Sequence, residues 1–259
     1  MYGWKGRIGL IVPSRNTTLE PEFYRMAPQG ITTHATRVSL GDITPSDLAD
    51  MEEEIYRAAR KIQELNADVM AVGCTSGTFI KGVGYDSLLI GNLWKQTGIP
   101  TLTTSTAVIE ALKVLQIKNV AVATPYSDEV NEKERAFLEG NGFKVTCIKG
   151  LGYIRTEIKY PLASRPVSGI GLLEPCVAYR MAMDVDTDDA QGIFISCTNF
   201  RTVEIIQELE QNRQKPVVTS NQATMWLCLK TLGIRERVQG FGALLENHLL
   251  KGSEIGQRH

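Results

Sequence analysis

The chain has 259 residues, 43% of them hydrophobic, and a formal net charge of −1. This length suits one large domain or two small ones, and the apolar content is sufficient for a well-packed core. The charges are mixed and form no basic block, so no nucleic-acid partner is expected. The longest apolar runs fall far short of the roughly 18 residues of a membrane span, and the first residues lack a signal-peptide pattern. We therefore expect a cytoplasmic protein without a membrane partner.

Apolar periodicity predicts alternating strands and helices along the first half of the chain. Strands are predicted at 7–13, 33–40, 68–73 and 100–104. Helices are predicted at 17–26, 44–65, 85–96 and 105–116. Strands this apolar favour a parallel sheet that is buried on both faces.

The same order of elements restarts near residue 119. Strands are predicted at 119–125, 144–149, 192–196 and 215–220, and helices at 128–139, 172–183, 202–211 and 222–232, with 150–171 unassigned. Thr104-Ser105 and Thr219-Ser220 precede helices of similar sequence, which indicates an internal repeat.

The repeat predicts an α/β fold of two similar Rossmann-like halves, each a small parallel sheet flanked by helices. The halves, 1–117 and 118–259, should be related by pseudo-twofold symmetry around an interdomain cleft, with the final helix packed on the first half. A single doubly wound sheet with coincidental echoes is the alternative.

Cys74 and Cys197 follow apolar strands at matched positions in the two halves. Ligands of parallel α/β sheets bind beyond the carboxyl ends of the strands, so both thiols should face one cleft. The other three cysteines, Cys147, Cys176 and Cys228, are interpreted as small buried apolar residues. Neither a disulfide framework nor a metal site is expected from the cysteine and histidine spacing.

Hydroxyl and amide side chains follow the two cysteines in the sequence, and Asn16 and Tyr126 follow the first strand of each half. Candidate ligand-binding residues are Asn16, Thr75, Ser76, Tyr126, Thr198 and Asn199. Together with backbone N–H groups at the strand ends they favour a small mono- or dicarboxylate substrate and support a thiolate. Asn16 has helix capping as an alternative role.

Two thiols permit two related reactions without a cofactor. They can act as base and acid on opposite faces of an α-carbon. Alternatively, one thiolate can add to an activated double bond while the other thiol moves the proton. Both routes pass through an enediolate-like species that needs hydrogen-bond donors.

Four short segments together carry a resemblance to a known family. They are Val12–Glu20 (VPSRNTTLE), Gly73-Cys74-Thr75, Pro125-Tyr126 and Ser196-Cys197-Thr198. They resemble the maleate cis-trans isomerase branch of the aspartate/glutamate racemase superfamily, which is related to arylmalonate decarboxylase and hydantoin racemase. The resemblance implies two α/β halves, chemistry without a cofactor, and a homo-oligomer (a dimer or tetramer).

The resemblance also implies residue roles. Cys74 corresponds to the nucleophile that adds to the alkene of maleate, Cys197 to the partner thiol, and Asn16 and Tyr126 to groups that hold the carboxylates. The decarboxylase branch typically has glycine in place of Cys74.

The chain departs from the isomerase pattern in two stretches. Maleate isomerases usually carry an asparagine in the stretch that matches 150–158, which here contains Arg155 and Thr156 but no asparagine. They also tend to have apolar residues where this chain has Thr75–Thr78. We expect a maleate isomerase-like enzyme, with an aspartate/glutamate-type or hydantoin-type racemase as the alternative. A non-catalytic carboxylate-binding or sensor protein is the alternative of another class.

Overall fold

The computed structural model describes residues 1–39, 45–153, 157–158 and 167–249. Its first half contains β1 (Gly6–Pro13), α1 (Leu19–Met26), β2 (Ile31–Val38), α2 (Pro45–Glu64), β3 (Val69–Val72), α3 (Thr75–Phe79), α4 (Tyr85–Thr97), β4 (Thr101–Thr103) and α5 (Thr104–Val114). The four strands form one parallel sheet in the order β2-β1-β3-β4.

The second half repeats this topology. It contains β5 (Asn119–Tyr126), α6 (Asp128–Gly140), β6 (Lys144–Tyr153), β7 (Glu157–Ile158), β8 (Val167–Ser168), α7 (Pro175–Val185), β9 (Gly192–Ile195), α8 (Ile206–Arg213), β10 (Val217–Thr219), α9 (Ser220–Thr231) and α10 (Ala243–Asn247). Its parallel sheet has the order β6-β5-β9-β10, and β7 and β8 pair separately as an antiparallel ribbon.

The two sheets confirm the α/β fold of two similar halves, and the alternative of a single doubly wound sheet is wrong. In each sheet the order of strands reverses between two central strands, β1 and β3 in one sheet and β5 and β9 in the other. Such a reversal places the loops after both central strands around one crevice, where ligands of this architecture bind. The exact division of the chain at residue 117 stays a prediction.

Most predicted elements lie within a few residues of the observed ones, and the differences have physical reasons. Helix α3 was not predicted because five residues without apolar periodicity give no helical signal. Helix α7 begins at Pro175, not at residue 172, because proline suits the first helical turn. The predicted strand end at residue 40, the predicted helix start at residue 44, and Arg155 and Thr156 lie outside the described residues.

The two halves pack against each other through α5 and α9. Both helices begin with a threonine cap: Thr103 accepts from the Thr106 N–H, and Thr219 accepts from the Gln222 N–H in a capping box. A hydrogen bond of 3.1 Å from the Thr224 hydroxyl to the Thr104 hydroxyl crosses the interface. Within the part of the chain that the structure describes, no helix could span a membrane.

Glu22 on α1 joins the first half to the loop after β9. Its Oε1 accepts from the N–H groups of Thr202 (2.7 Å) and Val203 (3.1 Å), and its Oε2 accepts from Asn221 Nδ2 (2.6 Å). Residues 202–205 instead form a turn that a 3.0 Å hydrogen bond from the Ile205 N–H to the Thr202 carbonyl closes, and α8 begins at Ile206 and not at the predicted 202. Burial raises the pKa of Glu22 to about 7, although the three donors oppose the rise.

We expect the Glu22→Ala substitution to lower the free energy of unfolding by about 3 kcal/mol, because it leaves three buried donors unpaired. The measurement is urea unfolding followed by circular dichroism. The matched control is Glu129→Ala, whose side chain on α6 is 81% exposed, and it should change stability by less than about 0.5 kcal/mol. Equal unfolding midpoints for the two variants would contradict the bridging role of Glu22.

Candidate active site

The loops that follow the four central strands bring the predicted site residues together. Asn16 follows β1, Cys74 follows β3, Tyr126 ends β5, and Cys197 follows β9. Each half therefore contributes one cysteine and one other polar side chain at the carboxyl ends of its central strands.

Cys74 lies between the end of β3 and the first turn of α3 and is 6% exposed. Burial raises the pKa of its thiol, and hydrogen bonds from the Gly77 N–H and the Ser76 hydroxyl act in the opposite direction. These two donors are positioned to stabilise a thiolate, the reactive form of cysteine.

Cys197 sits in a strained turn after β9. Its φ of +96° lies in a region that residues other than glycine rarely adopt. A hydrogen bond from the Cys197 N–H to Ser220 Oγ, 3.0 Å long, holds this conformation. The thiol is 9% exposed and accepts from the Asn199 N–H and the Tyr126 hydroxyl.

The two thiols interact electrostatically. Burial is the main cause that raises the pKa of Cys197 to about 12, and the nearby Cys74 and Glu134 contribute to the rise. Burial also raises the pKa of Tyr126 well above its ordinary value, with contributions from both cysteines. Cys197 therefore keeps its proton at neutral pH, and Tyr126 is a hydrogen-bond donor beside it.

Asn16 serves both as a helix cap and as a bridge between the halves. Its Oδ1 accepts from the N–H groups of Thr18 (3.0 Å) and Leu19 (2.9 Å) at the start of α1. Its Nδ2 donates to Thr198 Oγ1 at 2.9 Å. An amide nitrogen has two N–H groups, and among the described residues only Thr198 accepts from this one.

The hydroxyls of Thr75 and Thr198 brace the two cysteine loops against each other. Thr198 Oγ1 donates to the Gly73 carbonyl at 3.1 Å, and Thr75 Oγ1 donates to Ser220 Oγ at 3.0 Å. Asn199 Oδ1 accepts from the Thr17 N–H at 2.9 Å. The roles of Thr75, Ser76, Thr198 and Asn199 as substrate ligands stay predictions.

Sequence reasoning missed Ser220 and Ser105 as parts of the site. Ser220 Oγ accepts from both Thr75 and the Cys197 N–H, so it touches both cysteine loops. Ser105 shares a 2.6 Å hydrogen bond with Thr78 on the helix that follows Cys74. The matched Thr104-Ser105 and Thr219-Ser220 pairs were the signal that could have identified them.

The interpretation of Cys176 as a buried apolar residue is wrong, since this side chain is exposed on α7. Cys176 lies in the first turn of α7, and its sulfur accepts from exposed Arg180 Nη2 at 3.7 Å on the solvent side. Cys228 is buried on α9 as expected, and Cys147 on β6 is partly buried.

Comparison with known proteins identifies the family. The model of the arylmalonate decarboxylase family matches residues 8–245. The chain is 32% identical to arylmalonate decarboxylase of Bordetella bronchiseptica over 92% of its own length and 96% of that protein. The chain belongs to the arylmalonate decarboxylase family.

The chain is also similar to proteins with a different activity. The chain is 29% identical to maleate isomerase of Pseudomonas putida, over 92% of its length and 96% of that protein. It superposes with a TM-score of 0.85 and 26% identity on a variant of the maleate isomerase Iso from Pseudomonas putida S16 with maleate, covering 95% of this chain and 99% of the other. The resemblance to the maleate isomerase group and the two-halved fold are thereby confirmed.

The absence of a side chain at Gly77 leaves space for the Cys74 thiol. A Cβ at this position would lie 2.9 Å from Cys74 Sγ and 2.8 Å from Met51 Cε, which is too close for either contact. We expect Gly77→Ala to displace the sulfur from its backbone donor and to slow alkylation of Cys74 about tenfold, which corresponds to one unit of thiol pKa. The measurement is the rate of iodoacetamide modification of Cys74, read by peptide mass spectrometry.

The matched control for this variant is Gly91→Ala on α4, where a Cβ would have no neighbour within 4 Å. This control should leave the alkylation rate of Cys74 unchanged and should not lower stability, since alanine is the better helix former. Equal rates in the two variants would show that Gly77 does not set the position of the sulfur.

Proposed function

We propose that the protein is a cofactor-independent isomerase that interconverts the cis and trans forms of a small unsaturated dicarboxylate such as maleate. The observation that carries the proposal is the pair of buried thiols, one from each half, with Tyr126 bonded to one and electrostatically coupled to both. Similarity to maleate isomerase of Pseudomonas putida supports this substrate class.

In the proposed reaction the Cys74 thiol gives its proton to solvent in the open site, and the thiolate adds to one alkene carbon and forms a carbon–sulfur bond; a proton returns to the sulfur after the thiolate leaves. The π electrons move to the neighbouring carbon and its carboxylate, which gives an enediolate-like anion. The carbon–carbon bond is now single and can rotate. Expulsion of the thiolate restores the double bond in the trans geometry, so the reaction consumes nothing.

Cys197 is suited to move the proton in this sequence. With a pKa of about 12 it is a thiol at neutral pH. It can donate that proton to the carbon of the anion and remove a proton again before the thiolate departs. The Asn199 N–H, which bonds to its sulfur, stabilises the thiolate that forms in between.

We propose that Asn16 and Tyr126 hold the two carboxylates, and that Thr75, Ser76, Thr198 and Asn199 complete the binding site. Asn16 is fixed by three hydrogen bonds within the protein. A donor fixed in this way loses little freedom when a ligand binds, which favours binding.

A second candidate reaction is decarboxylation, which the 32% identity to arylmalonate decarboxylase favours. An enediolate would form there by loss of carbon dioxide, and one thiol would protonate it. The second thiol has no step in that reaction, so the pair of cysteines favours isomerisation. Racemisation by two-thiol proton transfer remains the alternative within the same site.

We also propose a homo-oligomer, a dimer or tetramer, in the cytoplasm. Large apolar side chains on the surface support an oligomer; they include Val83, Leu88 and Trp94, all more than half exposed. Light scattering coupled to gel filtration measures the mass, and a monomer at micromolar concentration would contradict this proposal.

The test of the proposed function is conversion of maleate to fumarate, followed by proton NMR. Cys74→Ser and Cys197→Ser should each lower turnover about a thousandfold, since serine is a far weaker nucleophile and acid than cysteine. Cys176→Ser is the matched control, because this thiol is exposed on α7, and it should retain full turnover. Full activity in either of the first two variants would overturn the two-thiol mechanism.

Assays with other substrates separate the remaining candidates. Release of carbon dioxide from an arylmalonate without conversion of maleate would indicate the decarboxylase. Deuterium uptake at the α-carbon of an amino acid or hydantoin would indicate the racemase. Binding of maleate without any conversion would indicate a sensor protein.

A further inference from the structure

Glu134 is a buried carboxyl group behind the candidate active site. It lies on α6, is 1% exposed, and its Oε1 accepts a 2.5 Å hydrogen bond from Ser196 Oγ. Its Oε2 is buried and has no hydrogen-bond partner among the described residues. A buried carboxylate with a single neutral donor is costly, so this environment favours the protonated acid.

Helix α6 accepts hydrogen bonds from polar residues at the ends of both central strands of the second half, β5 and β9. Asn131, three residues before Glu134 and therefore on the same face, accepts from Thr124 Oγ1 at 2.6 Å. Thr124 in turn accepts from the Tyr126 N–H at 3.0 Å. The corresponding bond from Ser196 to Glu134 fixes the residue that precedes the strained Cys197.

The titratable groups that face Glu134 are Tyr126 from β5 and Cys197 from the turn after β9. Ionisation of Glu134 raises the pKa of both. Helix α3, which also packs on α6, has no titratable side chain.

The lysines of β6 and Arg135 of α6 bond to other groups. Lys144 and Lys149 of β6 donate to Asp189 and to the Asp184 carbonyl. Arg135 of α6 donates to the Val145 carbonyl. These three cations therefore do not offset a negative charge on Glu134, and that charge would disfavour a thiolate at Cys197. Burial raises the pKa of Glu134 to about 8, so the group is mostly uncharged at neutral pH.

We infer that Glu134 is a positioning residue that works as an uncharged acid: it holds the Cys197 turn through Ser196, and its ionisation suppresses the Cys197 thiolate. This inference rests on the proposed function only in taking Cys197 as a reacting thiol. The inference predicts that activity falls in alkaline solution because Glu134 ionises, although Glu134 is not one of the proposed substrate-binding residues.

The test is the rate of alkylation of Cys197 by iodoacetamide, measured from about pH 6 to about pH 10, where the rate follows the thiolate fraction. Cys197 is read separately from the other cysteines by peptide mass spectrometry. In the wild-type protein the logarithm of the rate should rise with pH and bend to a shallower slope near pH 8, as Glu134 ionises.

Glu134→Gln keeps an acceptor for Ser196 and a donor in place of the protonated oxygen, but it cannot ionise. In this variant the rate of Cys197 alkylation should rise with pH without a bend. Above the pH of the wild-type bend it should exceed the wild-type rate severalfold. Glu134→Met, which also lacks the charge, should lose the bend as well. Glu132→Gln is the matched control on the same helix, with a side chain that is 69% exposed, and it should keep the bend.

A bend that persists in Glu134→Gln, or a slower alkaline rate in that variant than in the wild type, would overturn the inference. Alkylation requires no turnover, so the result is independent of the substrate. The isomerase proposal could fail while the bend is confirmed, and it could hold while the bend is absent.

Discussion

The hydroxyl of Ser220 ties the two cysteine loops together. It accepts from the Cys197 N–H and from Thr75, the residue after Cys74, each at 3.0 Å. Because Ser220 begins α9, which packs against α5, the interface between the halves fixes both loops at once. Neither half alone contains this contact, and therefore neither half alone can set the relative position of the thiols.

Burial gives the site its chemical character. A thiol removed from water resists ionisation, and both cysteines show this effect. Each sulfur also accepts hydrogen bonds from fixed donors, which would stabilise a transient thiolate without reorganisation. The left-handed backbone at Cys197 is a local strain that the surrounding hydrogen bonds sustain. Buried Glu134 and Glu22 bond to the two ends of the loop that carries Cys197, at Ser196 and at Thr202.

The sequence predicted the fold and the placement of the two cysteines at matched strand ends, because both depend on local signals. Apolar runs that end in polar residues identify strand ends, and the internal repeat shows that β3 and β9 are equivalent strands of the two halves. The supporting groups could not be predicted in this way. Glu22 and Glu134 lie in helices rich in charged residues, where a glutamate is ordinarily solvated, and only the tertiary packing buries them. The positive φ of Cys197 likewise has no sequence signal, since the residue is not glycine.

The most direct test of the account is protection of the thiols by one ligand. Alkylation of Cys74 and Cys197 would be compared with and without saturating maleate, with exposed Cys176 as the internal standard. If both sulfurs face a single bound acid, maleate should slow modification of both to the same extent and with the same concentration dependence, while Cys176 reacts as before. Protection of only one of the two, or of neither, would contradict convergence of the thiols on one ligand.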